Sequence, residues 1–221
     1  EIGKTFITCA LLHRATQLGI RAAGLKPVAA GVDASGKNED VEKIRAASKV
    51  TLADKLINSY CLRAAVAPHI AAAEDNVLID FATIQTACDQ ARQAADLVII
   101  EGVGGFCVPL GNDLDSADLA VALGLPMILV VGMRLGCINH ALLTAEAIAA
   151  RGLVIAGWVA NRIDPDMARF DENLATLQGL LYAPLLGVVP HDPTGGAAGA
   201  AKCLQLPGST KLATQDIGNF A

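Results

Sequence analysis

The segment Glu1-Ile2-Gly3-Lys4-Thr5 stands directly before a helix-like apolar run that ends near Leu18. Gly-Lys-Thr at the start of a helix is the second half of the pattern G-x-x-x-x-G-K-[ST]. Glycine lets successive backbone N–H groups curl around phosphate oxygens, and the helix N-terminus adds further donors and a favourable dipole. In that arrangement Lys4 reaches the β- and γ-phosphates of a nucleoside triphosphate, and the Thr5 hydroxyl binds Mg²⁺. Gly-Lys-Thr also occurs at ordinary helix starts, so the rest of the chain must decide. The full pattern needs an earlier glycine and a strand feeding the loop. We therefore expect roughly a dozen residues ahead of Glu1, a strand being about 5–6 residues long.

Working outward, apolar runs alternate with helical segments. Arg21 to Ala30 reads as a strand entering a loop, Gly31 to Asn38 as a polar loop, and Asp40 to Ala47 as a helix. Residues 51–76 have no clear period, and Pro68-His69 is expected to interrupt any helix there. Asp80 looks like the N-cap of a helix running to about Ala95. Four short apolar runs follow: Leu97 to Ile100, Met127 to Val131, Val154 to Ala160 and Leu185 to Val189. Continuous apolar strands are expected to be buried on both faces. Helical segments at about 115–123, 139–150 and 166–180 separate them. The fold expected is α/β, a doubly wound and mostly parallel sheet of the P-loop NTPase type, with its first strand missing from the chain as given. Ligands in such sheets bind beyond the carboxyl ends of the strands, here at Glu101, Gly132, Asn161 and Pro190. From Gly195 onward the Ala/Gly-rich tail is expected to be partly irregular.

Composition agrees. The chain of 221 residues is 53% hydrophobic and only 4% aromatic, which suits small residues packed between helices and a parallel sheet. We expect a single domain spanning residues 1–221. A net charge of −5 without a basic block gives no support for nucleic-acid binding. No apolar run reaches the ~18 residues of a membrane span. Cys9, Cys61, Cys88, Cys107, Cys137 and Cys203 are scattered and form no C-x-x-C, as expected of free thiols in a reducing, cytoplasmic setting.

Two charged residues stand out beside the loop. Glu101 ends the strand Leu97–Ile100 and precedes Gly102-Val103-Gly104-Gly105, the place for an acid that holds Mg²⁺ on a triphosphate. The glycine run is either a simple turn or a close approach of backbone to an anion. Lys26, in Gly24-Leu25-Lys26-Pro27-Val28, is a candidate fixed positive charge for a reacting anionic group. An edge-strand surface lysine is the ordinary alternative, but Pro27 argues against a regular mid-strand position. By itself Asp40 reads as an ordinary helix N-cap.

These motifs together resemble the dethiobiotin synthetase family. The resemblance runs through E-I-G-K-T at 1–5, G-L-K-P-V-A at 24–29, N-E-D at 38–40, P-H-I-A at 68–71 and E-G-V-G-G at 101–105. It continues through I-L-V-V-G at 128–132, L-G-C-I-N-H-A-L-L-T-A at 135–145, G-W-V-A-N at 157–161 and P-L-L-G-V-V-P at 184–190. The run at 135–145 is the most distinctive.

The resemblance implies the conversion of 7,8-diaminononanoate, CO2 (from bicarbonate) and ATP to dethiobiotin through a carbamate that ATP phosphorylates. It implies that Lys4 and Lys26 are catalytic, neutralising carbamate and phosphoryl oxygens, and that Thr5, Asp40 and Glu101 hold Mg²⁺. It places Glu1, Ile2, Gly3, Lys4, Thr5, Phe6, Asp40 and the run Glu101, Gly102, Val103, Gly104 on the nucleotide. Asn161, Arg162, Pro190, His191 and Asp192 fall in its base-side loops. Lys26, Ala30, Gly105, Gly136, Cys137, Ile138 and Asn139 fall on the substrate, whose distal carboxylate the last four meet across a homodimer interface. Cys137 reads as a small buried residue rather than a nucleophile, and His140 as a helix residue rather than a base. Ala30 departs from the Ser or Thr usual there, and the residues after Asp192 follow no recognisable pattern.

Other readings fit less well. A cobyrinate-type amidoligase would need a glutamine-hydrolysing domain, for which 221 residues leave no room. A membrane-positioning ATPase would not predict L-G-C-I-N-H-A, and commonly has a basic amphipathic element that is not apparent here. The retained Lys4, Thr5, Lys26, Asp40 and Glu101 argue against an inactive nucleotide-binding module.

Overall fold

The computed structural model describes residues 2–208. The assignment of Glu1 to the nucleotide lies outside them. The elements run α1 (Lys4–Gln17), β1 (Ala22–Leu25), β2 (Val28–Ala30), α2 (Glu39–Ala47), α3 (Asp54–Ile57), β3 (Tyr60–Leu62), α4 (Pro68–Glu74), α5 (Phe81–Ala94) and β4 (Leu97–Ile100). Then come β5 (Pro109–Gly111), β6 (Leu114–Asp115), α6 (Ser116–Leu123), β7 (Met127–Gly132), α7 (Cys137–Ala150), β8 (Ile155–Asn161), α8 (Phe170–Leu180), β9 (Leu185–Val189) and α9 (Gly196–Ala200). Every pairing among them is parallel except the β5–β6 hairpin.

The expected α/β alternation is present, and Asp80 caps α5 as anticipated, accepting from Ala82 N and Thr83 N. The strand expected over Arg21–Ala30 is instead two strands. Pro27 has no N–H to give a ladder, and the chain changes partner there: β1 pairs with β4, β2 with β3. Pro68 starts α4 rather than interrupting a helix, because a first-turn position needs no N–H donor. Asn38, not Asp40, caps α2, accepting from Val41 N, while its amide donates to Gly31 O at 2.7 Å. The tail beyond Gly195 is described to residue 208, the rest of it lying outside the described residues. It forms α9 and a 3₁₀ turn (Ala201–Cys203), and Gln205 N donates to Leu186 O, which seats Leu204 and Leu206 in the core.

A second difference bears on the site. Residues Leu97–Ile100 are each only partly buried, not enclosed on both faces. Among the described residues β4 is bonded to β1 alone, and β7 to β8 alone in the order β7-β8-β9. Between β4 and β7 lies an apolar cleft of about 990 Å³ lined by both strands and reached by Ile2 and Lys4. The strand expected to feed the phosphate loop is not among the described residues.

Three apolar clusters hold the layers together. α1 buries Ile7, Leu11 and Leu12 against Val159, Leu186 and Val189. Leu25, Leu62 and Ile84 centre the second cluster, and Trp158, Met133 and Leu177 the third. Each fully buried side chain of this size contributes about 1.5–3 kcal/mol, so α1 is firmly seated and its N-terminus has a fixed position.

Candidate active site

The loop ahead of α1 is shaped by two close approaches. Gly3 has φ +81, a left-handed conformation open to glycine, and an added Cβ there would come 2.4 Å from Asn161 Nδ2. Asn161 is buried and donates to Ile2 O at 2.9 Å, so the end of β8 braces the loop backbone. At the end of β7, a Cβ on Gly132 would lie 2.8 Å from Ile2 Cγ2. Strand ends distant in sequence thus hold Ile2 and Gly3 from behind while Lys4 and Thr5 begin the helix.

Parallel pairing in register Leu25↔Ile100 sets the next residues, Lys26 and Glu101, side by side. Lys26 Nζ donates to Glu101 Oε1 at 2.7 Å and to Asp40 Oδ2 at 2.6 Å. Thr5 Oγ1 donates to the same Glu101 Oε1 at 2.7 Å. The Lys26 and Glu101 side chains are only 7% and 2% exposed, whereas Asp40 is 39% exposed on its side chain and opens the cluster to solvent. Burial works against the Lys26 charge, but Glu101 and the hydrogen bonds to both acids outweigh it and raise its pKa above the ordinary lysine value. For Asp40, burial raises the pKa, but the Lys26 hydrogen bond and charge more than offset this and hold it below the usual carboxylate value.

Among the described residues, one buried atom in the cluster has no hydrogen-bond partner: Glu101 Oε2. A buried carboxylate oxygen without a donor is costly, which fits an oxygen reserved for a ligand. Thr5 hydroxyl, Asp40 and Glu101 form a hard oxygen set of the kind that binds Mg²⁺ together with nucleotide phosphates and water. Among the described residues there is no group of three or more His, Cys, Asp or Glu side chains fit to hold a metal. Such a cation would complete its shell with water and, when nucleotide is present, phosphate oxygens.

The remaining candidates divide by position. Phe6 packs on the α1 core cluster, and Ala30 ends β2. Gly102, Gly104 and Gly105 are exposed and Val103 is half-buried, in a loop pinned where Ser116 Oγ donates to Phe106 O. Arg162 follows Asn161, stacks over Phe170 at 4.9 Å and donates to Pro165 O. Pro190, His191 and Asp192 are exposed beyond β9, and Arg162 N donates to Val189 O, which brings the loops after β8 and β9 together. Gly136 has φ +91 and precedes α7; Cys137 is buried, Ile138 half-buried and Asn139 exposed in its first turn.

The sequence reading missed Asn58. It is buried in the stretch without period, and its amide donates to Lys26 O at 2.7 Å and Tyr60 O at 3.0 Å. Lys26 N in turn donates to Ile57 O at 2.8 Å. The Lys26 backbone is therefore held on both sides. No motif marks an asparagine that serves only carbonyls.

This fold, with its glycine-lysine-threonine loop facing a buried acid, defines a P-loop nucleotide-binding protein. The family model described as "AAA domain" matches residues 1–198. Over 211 residues the chain is 60% identical to the ATP-dependent dethiobiotin synthetase BioD of Aromatoleum aromaticum, covering 94% of each. The chain belongs to the dethiobiotin synthetase family. Among solved structures, the MinD cell division protein of Aquifex aeolicus superposes with a TM-score of 0.53 at 14% identity, covering 91% of each chain. Cobyrinic acid a,c-diamide synthase of Mycobacterium smegmatis, with a bound ATP analogue and magnesium, superposes at 0.52 and 15% identity, covering 91% of this chain and 87% of that one. Both share the fold.

Proposed function

We propose that the chain makes dethiobiotin from 7,8-diaminononanoate, CO2 and ATP, with Mg²⁺ bound by Thr5, Asp40 and Glu101. The observation that supports this reading is the convergence of Lys26, Thr5, Asp40 and Glu101 at the mouth of the phosphate loop. One amine of the substrate adds to CO2 and loses a proton, giving a carbamate. A carbamate oxygen takes the γ-phosphoryl group and ADP leaves. The second amine then attacks the carbonyl carbon and loses a proton, expelling phosphate and closing the ureido ring.

Little covalent chemistry falls to the protein, so positioning and charge dominate. Mg²⁺, when bound, neutralises charge on the nucleotide phosphates. Lys4, at the first position of α1, sets a positive charge beside the β- and γ-phosphates, and the helix N-terminus adds N–H donors. Lys26 stands where its ammonium can meet the carbamate and the transferring oxygens. Asn161, Arg162, Pro190, His191 and Asp192 flank the base. Gly102, Val103 and Gly104 flank the nucleotide, while Gly105 and Ala30 line the approach to the reacting amines. Gly136 to Asn139, at the opening of α7, meet the distal carboxylate with helix N-terminal N–H groups, in a homodimer whose interface completes the site. All of this rests on one domain, and six free thiols suit a cytoplasmic enzyme. No helix among the described residues is long and apolar enough to cross a membrane.

The test is dethiobiotin formation by the purified protein with Mg-ATP, bicarbonate and the diamine, at one phosphate released per product. ATP turnover that ignores the diamine and yields no ureido product would overturn the proposal. Lys26→Ala should lower turnover by roughly 10²–10³-fold, the usual effect of losing one electrostatic contact to a transition state, while nucleotide binding largely persists.

A further inference from the structure

We infer that Lys26 is an internal competitor for the cation site: its ammonium shares the carboxylates of Asp40 and Glu101 with the divalent cation, and each displaces the other. The inference rests on the assignment above of Thr5, Asp40 and Glu101 to that cation.

Lys26 Nζ lies 2.6 Å from Asp40 Oδ2 and 2.7 Å from Glu101 Oε1, so one cation already bridges both acids. Thr5 Oγ1, the remaining oxygen of the set, is bonded to that same Oε1. A divalent ion needs ligand distances of about 2.0–2.1 Å, which would put it within a few ångströms of the ammonium, in a pocket where little water screens like charges. Glu101 Oε2 is buried without a partner, so a place for a further contact remains once the carboxylate turns.

The anchoring of Lys26 suits an exchange by its side chain alone. Its backbone is pinned through Ile57 O and the Asn58 amide, while four flexible methylenes lie between Cα and the ammonium. Without a metal, the lysine keeps two acids from facing each other unpaired. When the cation enters with its nucleotide, the ammonium is released at the phosphate end of the site, where the reacting anion forms. Loading of the metal and delivery of the catalytic charge thereby become one event.

The experiment measures Mn²⁺ affinity by electron paramagnetic resonance, without nucleotide or diamine, for wild type, Lys26→Met and Glu101→Gln. Lys26→Met should bind Mn²⁺ tighter by roughly tenfold or more, as expected for removing a like charge at this range. Glu101→Gln should lose the site. Equal or weaker binding by Lys26→Met overturns the competition. Unchanged binding by Glu101→Gln puts the cation elsewhere and overturns it as well. Should Lys26→Met fold poorly, the wild-type protein suffices: Mg²⁺ alone should shift the Lys26 Cε resonance in a lysine-labelled sample, and an unmoved resonance at saturation overturns the inference. Dethiobiotin formation by the wild type is scored separately, so its absence alongside a tightened Lys26→Met site would overturn the proposed function and leave this inference standing.

Discussion

Replacing Glu101 by Gln removes one charge from the interior with almost no change of shape. The Glu101 side chain is 2% exposed and its partner Lys26 7%, so neither can turn to water. Taking one partner from a buried pair costs about 3–5 kcal/mol, because the other charge is stranded. Asp40 remains at 2.6 Å from the ammonium, but it is 39% exposed and can satisfy only part of it. The lower end, about 3 kcal/mol, is the value expected. In a domain of this size, 1 kcal/mol moves the melting temperature by about 2–4 °C, so Glu101→Gln should melt roughly 6–12 °C below wild type by circular dichroism. Lys26→Met combined with Glu101→Gln removes both charges and should cost less than the two single changes added together. A Glu101→Gln melting point within about 1 °C of wild type, or strictly additive losses in the double variant, would refute a tightly coupled buried pair.

Other outcomes follow from the same geometry. Asn38→Ala removes the α2 cap and the bond to Gly31 O, and should cost about 1–2 kcal/mol in urea unfolding while weakening divalent binding through a displaced Asp40. Because the Asp40 pKa is depressed on folding, its contribution to stability is complete above the ordinary carboxylate range and is lost as pH falls through its lowered value. The Lys26 pKa is raised, so its contribution is complete below the ordinary lysine range and is lost as pH rises through its elevated value. Melting temperature followed against pH should therefore fall at both extremes, and Lys26→Met should blunt the alkaline fall. Burial pushes the Cys9 and Cys88 thiols up to about 11. A thiol reagent at pH 8 should label the exposed Cys61, Cys107 and Cys203 quickly and the buried Cys9, Cys88 and Cys137 slowly, as mass mapping would reveal.

Much of this molecule could be read along the chain because the signals are local. Gly3-Lys4-Thr5 and the helix behind it lie within a few residues of one another. The helix after Asp80 is capped by its own neighbour, and the apolar runs at Met127–Gly132 and Leu185–Val189 mark strands by composition alone. Lys26 drew notice through Pro27, and Glu101 through its place between an apolar run and glycines. The family motifs named the rest of the candidate site.

What lay beyond that reading depended on pairing between distant segments. Nothing in Arg21–Ala30 announces that β1 turns to β4 and β2 to β3, since ladder partners are chosen by hydrogen bonds across space rather than by periodicity. That choice of register sets Lys26 beside Glu101, 75 residues away. Asn58 and Asn161 serve backbone carbonyls, a task that any loop asparagine could perform and that no spacing reveals. Sequence alone determined that a phosphate loop, an acid and a lysine were present. The tertiary structure decided that they meet, because charges buried at strand ends can be paired only by residues that the sheet brings to the same edge.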